Sequence, residues 1–134
     1  EEKFVEDHIG LDNLTLIPND GRFSTYAAID DSKVSVTTQS TLGLEALGRG
    51  CKVLFCNYTG DPYYDIPGIG KHGIWALGAG EENYDAFEKR VTEIMGLSAN
   101  EWWNQTKQCA RYFVLAEKEH LPQHRIIDEI TKYL

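Results

Sequence analysis

A polar loop in front of a short apolar helix carries the residue types best suited to chemistry. Gln39, Ser40 and Thr41 follow the β-branched run Lys33–Thr37 and open the sequence Thr-Leu-Gly-Leu-Glu-Ala-Leu-Gly. The first amides of a helix have no partner inside it, and the helix dipole adds a partial positive charge. A diphosphate suits such a site without Lys or Arg, and Gly43 would let it approach the backbone closely. The pattern predicts an anion site.

Glu45 adds a second group to this predicted site. It is an acidic residue in what we expect to be the first turn of an otherwise apolar helix. Its carboxylate can accept two hydrogen bonds from the vicinal hydroxyls of a ribose. The alternative is that Glu45 only complements the helix dipole. The residues alone favour the dipole interpretation.

A loop further along the chain could supply a wall of the same pocket. The stretch 61–68 reads Asp-Pro-Tyr-Tyr-Asp-Ile-Pro-Gly, and within it we predict Tyr64 and Asp65 to bind substrate. A tyrosine there can stack on a sugar or base ring. A rigid turn with its tyrosines packed on the surface is an equal alternative. Lys71 and His72 could reach a phosphate, although a solvated loop is the better interpretation of that pair.

No residue pattern indicates a metal or another cofactor, and we expect neither. Asp30 and Asp31 are adjacent acids that fit an exposed turn. His120 and His124 have the spacing of a zinc pair, but Pro122 lies between them and disturbs the helix that this spacing needs. The sequence reveals no catalytic residue.

The order of elements predicts an α/β fold, namely a Rossmann-like parallel sheet followed by C-terminal helices. Strands are expected at Leu14–Pro18, Lys33–Thr37, Lys52–Cys56 and Gly73–Leu77, and helices at Ser24–Asp30 and Leu42–Leu47. Three further helices follow. The first carries Tyr84, Phe87, Val91 and Ile94 on one face and stops at Gly96. The second opens with a capping box at Ser98–Glu101 and carries Trp102, Thr106, Cys109 and Phe113 on one side. The third follows Pro122 and carries Ile126, Ile127, Ile130 and Leu134. We therefore expect one domain over 1–134, with an α/β part at 1–80 and a helical tail at 81–134.

Bulk composition narrows the function classes. The chain has 134 residues and a formal net charge of -8, with its 13 basic residues scattered, so a nucleic-acid partner is not expected. No apolar run is long enough to span a bilayer. Cys51, Cys56 and Cys109 form no CxxC motif, and we interpret them as reduced thiols of a cytoplasmic protein. The small strand number suggests a fragment of a longer protein.

The segment Thr37–Phe55 resembles the donor-site signature of GT-B glycosyltransferases. It runs through small polar residues, Gly43, the sequence Glu45-Ala-Leu, Gly50 and an apolar strand. The nearest similarity is to bacterial capsule and surface-polysaccharide synthesis proteins, in which a Tyr-Asp-Ile-Pro-Gly stretch follows, as at Tyr64–Gly68 here. The resemblance covers about Asn13 to Gly73 and departs from the common pattern at Cys51-Lys52, where many members have Lys-Pro.

The resemblance implies a function and a set of partners. The loop amides would hold the phosphates of a nucleotide-sugar donor, and Glu45 its ribose. An acceptor domain, carrying any general base, would precede this chain, so the isolated chain is expected to be inactive. The whole protein would build a surface polysaccharide or glycolipid and could associate peripherally with a membrane. Two alternatives stay open: a nucleotide-sugar epimerase of the same fold, and a non-catalytic interaction module derived from it.

Overall fold

A computed structural model describes residues 14–15, 17, 24–59, 73–114 and 122–133. The backbone separates into two compact units, Glu1–Asp31 and Ser32–Leu134. The first contains helix α1 (Ser24–Asp31). All other described elements belong to the second: β1 (Ser35–Thr37), α2 (Thr41–Gly48), β2 (Val53–Cys56), β3 (Ala76–Leu77), α3 (Tyr84–Gly96), α4 (Ala99–Phe113) and α5 (Pro122–Thr131). The expected single domain with a boundary near residue 80 stays a prediction.

The three strands of the second unit form one parallel sheet in the order β1-β2-β3. Thr37 pairs with Phe55, and Phe55 pairs with Ala76. Val53, Leu54 and Phe55 of the central strand are fully buried, which explains why its sequence is continuously apolar. The α/β class and the parallel sheet are therefore confirmed.

Helix α2 packs between the sheet and α4, and contacts β1, β2 and α4. Two glycines allow this close packing. A Cβ on Gly43 would lie 2.8 Å from side-chain atoms of both Phe55 and Thr37, and one on Gly48 would lie 2.6 Å from the Cβ of Val114. Gly48 is the last residue of the helix, one residue beyond the expected end at Leu47. Gly50, at φ +85, makes the turn that follows.

Helices α3 and α4 agree in part with the pattern predicted from the sequence. The predicted capping box is present: the Ser98 side chain accepts from the Glu101 amide, and the Glu101 carboxylate accepts from the Ser98 amide. Trp102, Thr106 and Cys109 of α4 are buried on one face, as expected, whereas Phe113 of the same predicted face and the adjacent Trp103 are half-buried. On α3 only Ile94 of the four predicted apolar positions is fully buried; Phe87 and Val91 are half-buried, and Tyr84 is 71% exposed.

Two expectations for the N-terminal part of the chain were wrong. Leu14, Thr15 and Ile17, the described part of the strand expected at Leu14–Pro18, have no regular secondary structure, and β propensity alone does not form a strand without a paired neighbour. Ser24 is the first helical residue and not the cap of α1.

Strand β3 covers only Ala76–Leu77 of the expected Gly73–Leu77. Gly73 lies against the ring of Trp75. The carbonyl groups of Gly73 and Ile74 accept hydrogen bonds from the Arg90 side chain, outside any strand ladder.

The third C-terminal helix is present, although its apolar side chains are not covered within the second unit. Ile126, Ile127 and Ile130 of α5 are each more than half exposed. Across the described ranges, no helix combines the length and the apolar character needed to cross a bilayer.

Candidate functional site

The carboxyl ends of the three strands meet at one edge of the sheet, and the candidate site lies there. Thr37, Phe55 and Ala76 share one row of the sheet, so the segments that leave the strands begin side by side. Parallel sheets bind ligands at this edge, where loops lead into helix N-termini. Gln39, Asn57 and Gly78 each lie two residues beyond that row.

The segment that leaves β1 leads directly into α2. Ser40 is the N-cap of α2 and has an extended backbone at φ -145 and ψ 130, but its side chain makes no capping hydrogen bond. The two other helices with a described N-cap differ, because Asn83 accepts from the Ala86 amide and Ser98 from the Glu101 amide. The structure therefore places Ser40 and Thr41 at a helix start whose first-turn amides are not capped by the N-cap side chain.

Gly43 has a clear packing role. Its Cα faces Phe55 of β2 and Thr37 of β1, so any side chain would push α2 off the sheet. Close packing of helix on strand explains the glycine without reference to a ligand. The predicted contribution of Gly43 to substrate binding stays a prediction.

Glu45 lies one residue further into the helix than we expected, and therefore in the second turn. Helix α2 begins at Thr41 and has no acidic residue in its first turn. Glu45 is therefore in the second turn, four residues after Thr41, and the two side chains share one face of the helix. The effect of the dipole on a side chain falls off beyond the first turn, so this position weakens the dipole interpretation. The side chain is half-buried.

The segment that leaves β2 supplies polar groups that the sequence reading did not single out. Asn57 is only 3% exposed; its amide donates to the Leu77 carbonyl at 2.8 Å, and its Oδ1 accepts from the Thr59 hydroxyl at 3.1 Å. Burial and a hydrogen bond to Cys56 raise the pKa of Tyr58 to about 12. Polar residues directly after a buried strand are the signal that could have identified them.

The segment that leaves β3 is a tight turn whose amides are already occupied. The Gly78 amide donates to Glu81 Oε2 at 2.9 Å, and the Gly80 amide donates to Glu82 Oε2 at 2.8 Å. Gly80 adopts φ +91, which favours glycine. The hydrogen bond from Gly80 lowers the pKa of the Glu82 carboxyl. The carboxylates take the place that an external anion would need at this turn.

Arg90 of α3 lies against the side of β3 that faces away from β2. The carbonyl groups of Trp75 and Leu77 accept from the amides of Phe55 and Asn57, so the Ala76 carbonyl points away from β2. Arg90 Nη1 donates to that carbonyl oxygen at 2.5 Å, and Nη2 pairs with Glu81 Oε1 at 3.2 Å. Nothing in the spacing of the sequence predicted this network.

Comparison with known proteins assigns the family. Residues 1–118 match the model of a family described as "putative O-antigen biosynthesis protein". The chain belongs to this family. No curated protein and no solved structure matches the chain.

The O-antigen biosynthesis family agrees with the surface-polysaccharide part of the resemblance seen in the sequence. Its description points to involvement in O-antigen biosynthesis and names no donor, acceptor or reaction. The family therefore assigns no role to particular residues, and such roles have to be argued from the geometry of the sheet edge.

Three further sequence predictions for this O-antigen family member concern the second loop, metal sites and the cysteines. Tyr64, Asp65, Lys71 and His72 lie outside the described residues. No group of His, Cys, Asp or Glu side chains suited to a metal ion occurs in the described parts of the chain. The three cysteines are reduced, as expected. Cys109 is buried, and burial raises the pKa of its thiol to about 12.

Proposed function

We propose that this chain binds the diphosphate of a nucleotide-sugar donor at the N-terminus of α2, as the donor-binding part of a glycosyltransferase of surface-polysaccharide synthesis. The observation that carries the proposal is the start of α2, where the N-cap side chain of Ser40 makes no capping hydrogen bond, at the carboxyl edge of a parallel sheet. The family assignment supports the pathway, and the similarity to the GT-B donor signature supports the ligand class.

The charges along this edge favour one orientation of the ligand. The turn after β3 presents Glu81 and Glu82, whose carboxylates already occupy the Gly78 and Gly80 amides. A diphosphate would be repelled there, whereas the start of α2 offers amides and the positive end of the helix dipole. We infer that the phosphates bind at Ser40 and Thr41, and that Glu45, one turn later, accepts hydrogen bonds from the ribose.

In this proposal the chain contributes binding and positioning to the reaction. Helix amides that hold the donor diphosphate also stabilise the negative charge that develops on it as the sugar leaves. A Rossmann-like GT-B arrangement would place the acceptor, and any general base, on another domain. The isolated chain is therefore proposed to bind the donor without transferring its sugar, and turnover by the isolated chain would contradict this.

The test is a binding screen with a matched pair of variants. UDP, GDP and dTDP, and a glucose or mannose conjugate of each, are titrated into the chain and into Glu45→Ala and Glu88→Ala. Glu88 is an exposed acidic residue of α3 and serves as the control. We expect binding by at least one nucleotide sugar, weakened about fivefold or more in Glu45→Ala, as for the loss of a charged hydrogen bond, and unchanged in Glu88→Ala.

Other outcomes identify the alternatives. If no nucleotide binds, the proposal fails and an interaction module becomes the better interpretation. If a bound nucleotide sugar is converted to its epimer without an acceptor, the chain is an epimerase.

A further inference from the structure

Arg90 is the most extensively bonded side chain at the edge of the described sheet. Its Nη1 donates to the carbonyl oxygens of Gly73 at 3.3 Å and Ala76 at 2.5 Å, and its Nη2 pairs with Glu81 at 3.2 Å. The side chain is only 20% exposed. A planar guanidinium can satisfy several acceptors at once, which an ammonium group cannot do with the same geometry. Arg90 therefore fixes the positions of the segments on both sides of β3.

Glu81 connects Arg90 to Gly78, the residue that follows β3. One carboxylate oxygen pairs with Arg90, and the other accepts from the Gly78 amide at 2.9 Å. Glu93 also pairs with Arg90, at 3.7 Å, but it is 54% exposed and lies on α3 itself. Two carboxylates thus share one arginine, and only Glu81 connects it to the turn after β3.

The turn after β3 lies within reach of a ligand at α2. Asn57 donates its amide to Leu77, so the exits of β2 and β3 are neighbours. Adjacent strands are about 4.8 Å apart, which puts the exits of β1 and β3 about 10 Å from each other. The diphosphate and the hexose of a nucleotide sugar together span a comparable distance. With its diphosphate at the start of α2, its sugar can reach the turn.

We propose that Arg90 and Glu81 are positioning residues that hold the Gly78–Glu82 turn as a wall for the sugar part of the donor. This inference rests on the proposed function. Because the Gly78 and Gly80 amides are occupied by carboxylates, the wall offers oxygen acceptors, which suit sugar hydroxyls and not phosphates. The positioning pair therefore affects the affinity for the sugar more than the affinity for the nucleotide.

The test compares Glu81→Gln with Glu93→Gln and adds Arg90→Lys. Calorimetric titration measures the affinity for UDP-glucose, GDP-mannose and dTDP-glucose, and for the matching nucleoside diphosphates. Amide hydrogen exchange at Gly78 reports whether the turn has loosened. We expect Glu81→Gln and Arg90→Lys to accelerate exchange at Gly78 and to weaken nucleotide-sugar binding about fivefold, with less than about a twofold effect on the diphosphate. Glu93→Gln should match the unmodified chain in both measurements.

The outcomes separate this inference from the proposed function. If the unmodified chain binds nucleotide sugars, and Glu81→Gln accelerates exchange at Gly78 without changing affinity, the positioning role is overturned and the donor site stands. Equal losses for the nucleotide sugar and the diphosphate also overturn it, because the variant then disturbs the whole site. If the unmodified chain binds none of the probes, the proposed function fails and the inference fails with it.

Discussion

The indole Nε1 of Trp102 donates a hydrogen bond to the carbonyl oxygen of Cys51 at 2.9 Å. This bond joins α4 to the segment that enters the central strand. The Trp102 side chain is fully buried, so its indole N–H cannot turn to water if the bond is lost.

Trp102→Phe should therefore destabilise the chain by about 2–3 kcal/mol, since it removes this hydrogen bond and leaves a small cavity at a fully buried position. Trp103→Phe is the matched control, because Trp103 is the adjacent residue and is half-buried. Urea unfolding followed by circular dichroism measures both. Equal effects of the two substitutions would contradict a special role for the Trp102–Cys51 bond.

Gly43→Ala should destabilise the chain by about 1–3 kcal/mol, because the added methyl group would lie 2.8 Å from both Phe55 and Thr37. Gly96→Ala, at the last residue of α3, meets nothing within 4 Å and should be neutral or slightly stabilising. Thermal unfolding distinguishes the two. A neutral Gly43→Ala would show that α2 can move off the sheet without cost.

Ser40→Asp tests the helix start as an anion site. A carboxylate at this uncapped N-cap should raise the melting temperature, since it interacts favourably with the dipole. The same charge should repel the diphosphate and reduce nucleotide affinity about tenfold or more. Ser98→Asp, at the already capped start of α4, should leave nucleotide affinity unchanged and should not raise the melting temperature, because it removes the hydroxyl that donates to the Glu101 carboxylate. Undiminished nucleotide binding by Ser40→Asp would place the phosphates elsewhere.

Lys52 caps the far end of α3. Its ammonium donates to the carbonyl oxygens of Met95 at 3.1 Å and Leu97 at 2.5 Å. Lys52→Met should cost about 1 kcal/mol, because these carbonyls lose a charged donor at a helix C-terminus. Lys107→Met removes an exposed contact to Asn104 at 3.3 Å and should cost less than about 0.5 kcal/mol. Denaturant midpoints compare the two, and equal midpoints would argue against the cap.

Cys109 should make stability fall in alkaline solution. Burial raises the pKa of its thiol from 9.0 to about 12, so the folded chain retains a proton that the unfolded chain releases. The contribution of this thiol to the free energy of unfolding is fully present below pH 9 and is lost as pH rises from there to about 12. Tyr58, whose pKa is raised from 10.0 to about 12, acts in the same direction above pH 10. Cys109→Ala should flatten the decline that begins near pH 9, measured by urea unfolding at successive pH values; an unchanged slope would rule out the thiol.

The sequence predicted features that depend on local patterns. The apolar run of β2, the capping box at Ser98 and the buried face of α4 all follow from spacing within a few residues, and all are present. The start of α2 was located to within one residue. That one-residue difference moves Glu45 from the first turn, where we expected it, into the second turn.

Features that join distant segments were missed. Arg90 is an ordinary basic residue of an amphipathic helix until the fold brings it to Ala76, 14 positions earlier. Asn57 is a plausible loop residue until its amide pairs with Leu77. The local contacts of these residues, Arg90 with Glu93 and Asn57 with Thr59, do not indicate the bonds to β3, so only the packed sheet shows those bonds.

The bond from Arg90 to Ala76 has a consequence for self-association. A sheet edge with free carbonyl groups is a template on which a strand from another molecule can pair and start an aggregate. At β3 the outward-facing acceptor is already taken by a guanidinium, and the strand is only two residues long. An approaching chain would have to displace a charged donor to gain a single hydrogen bond, so this side of the sheet resists the first step of amyloid-like growth.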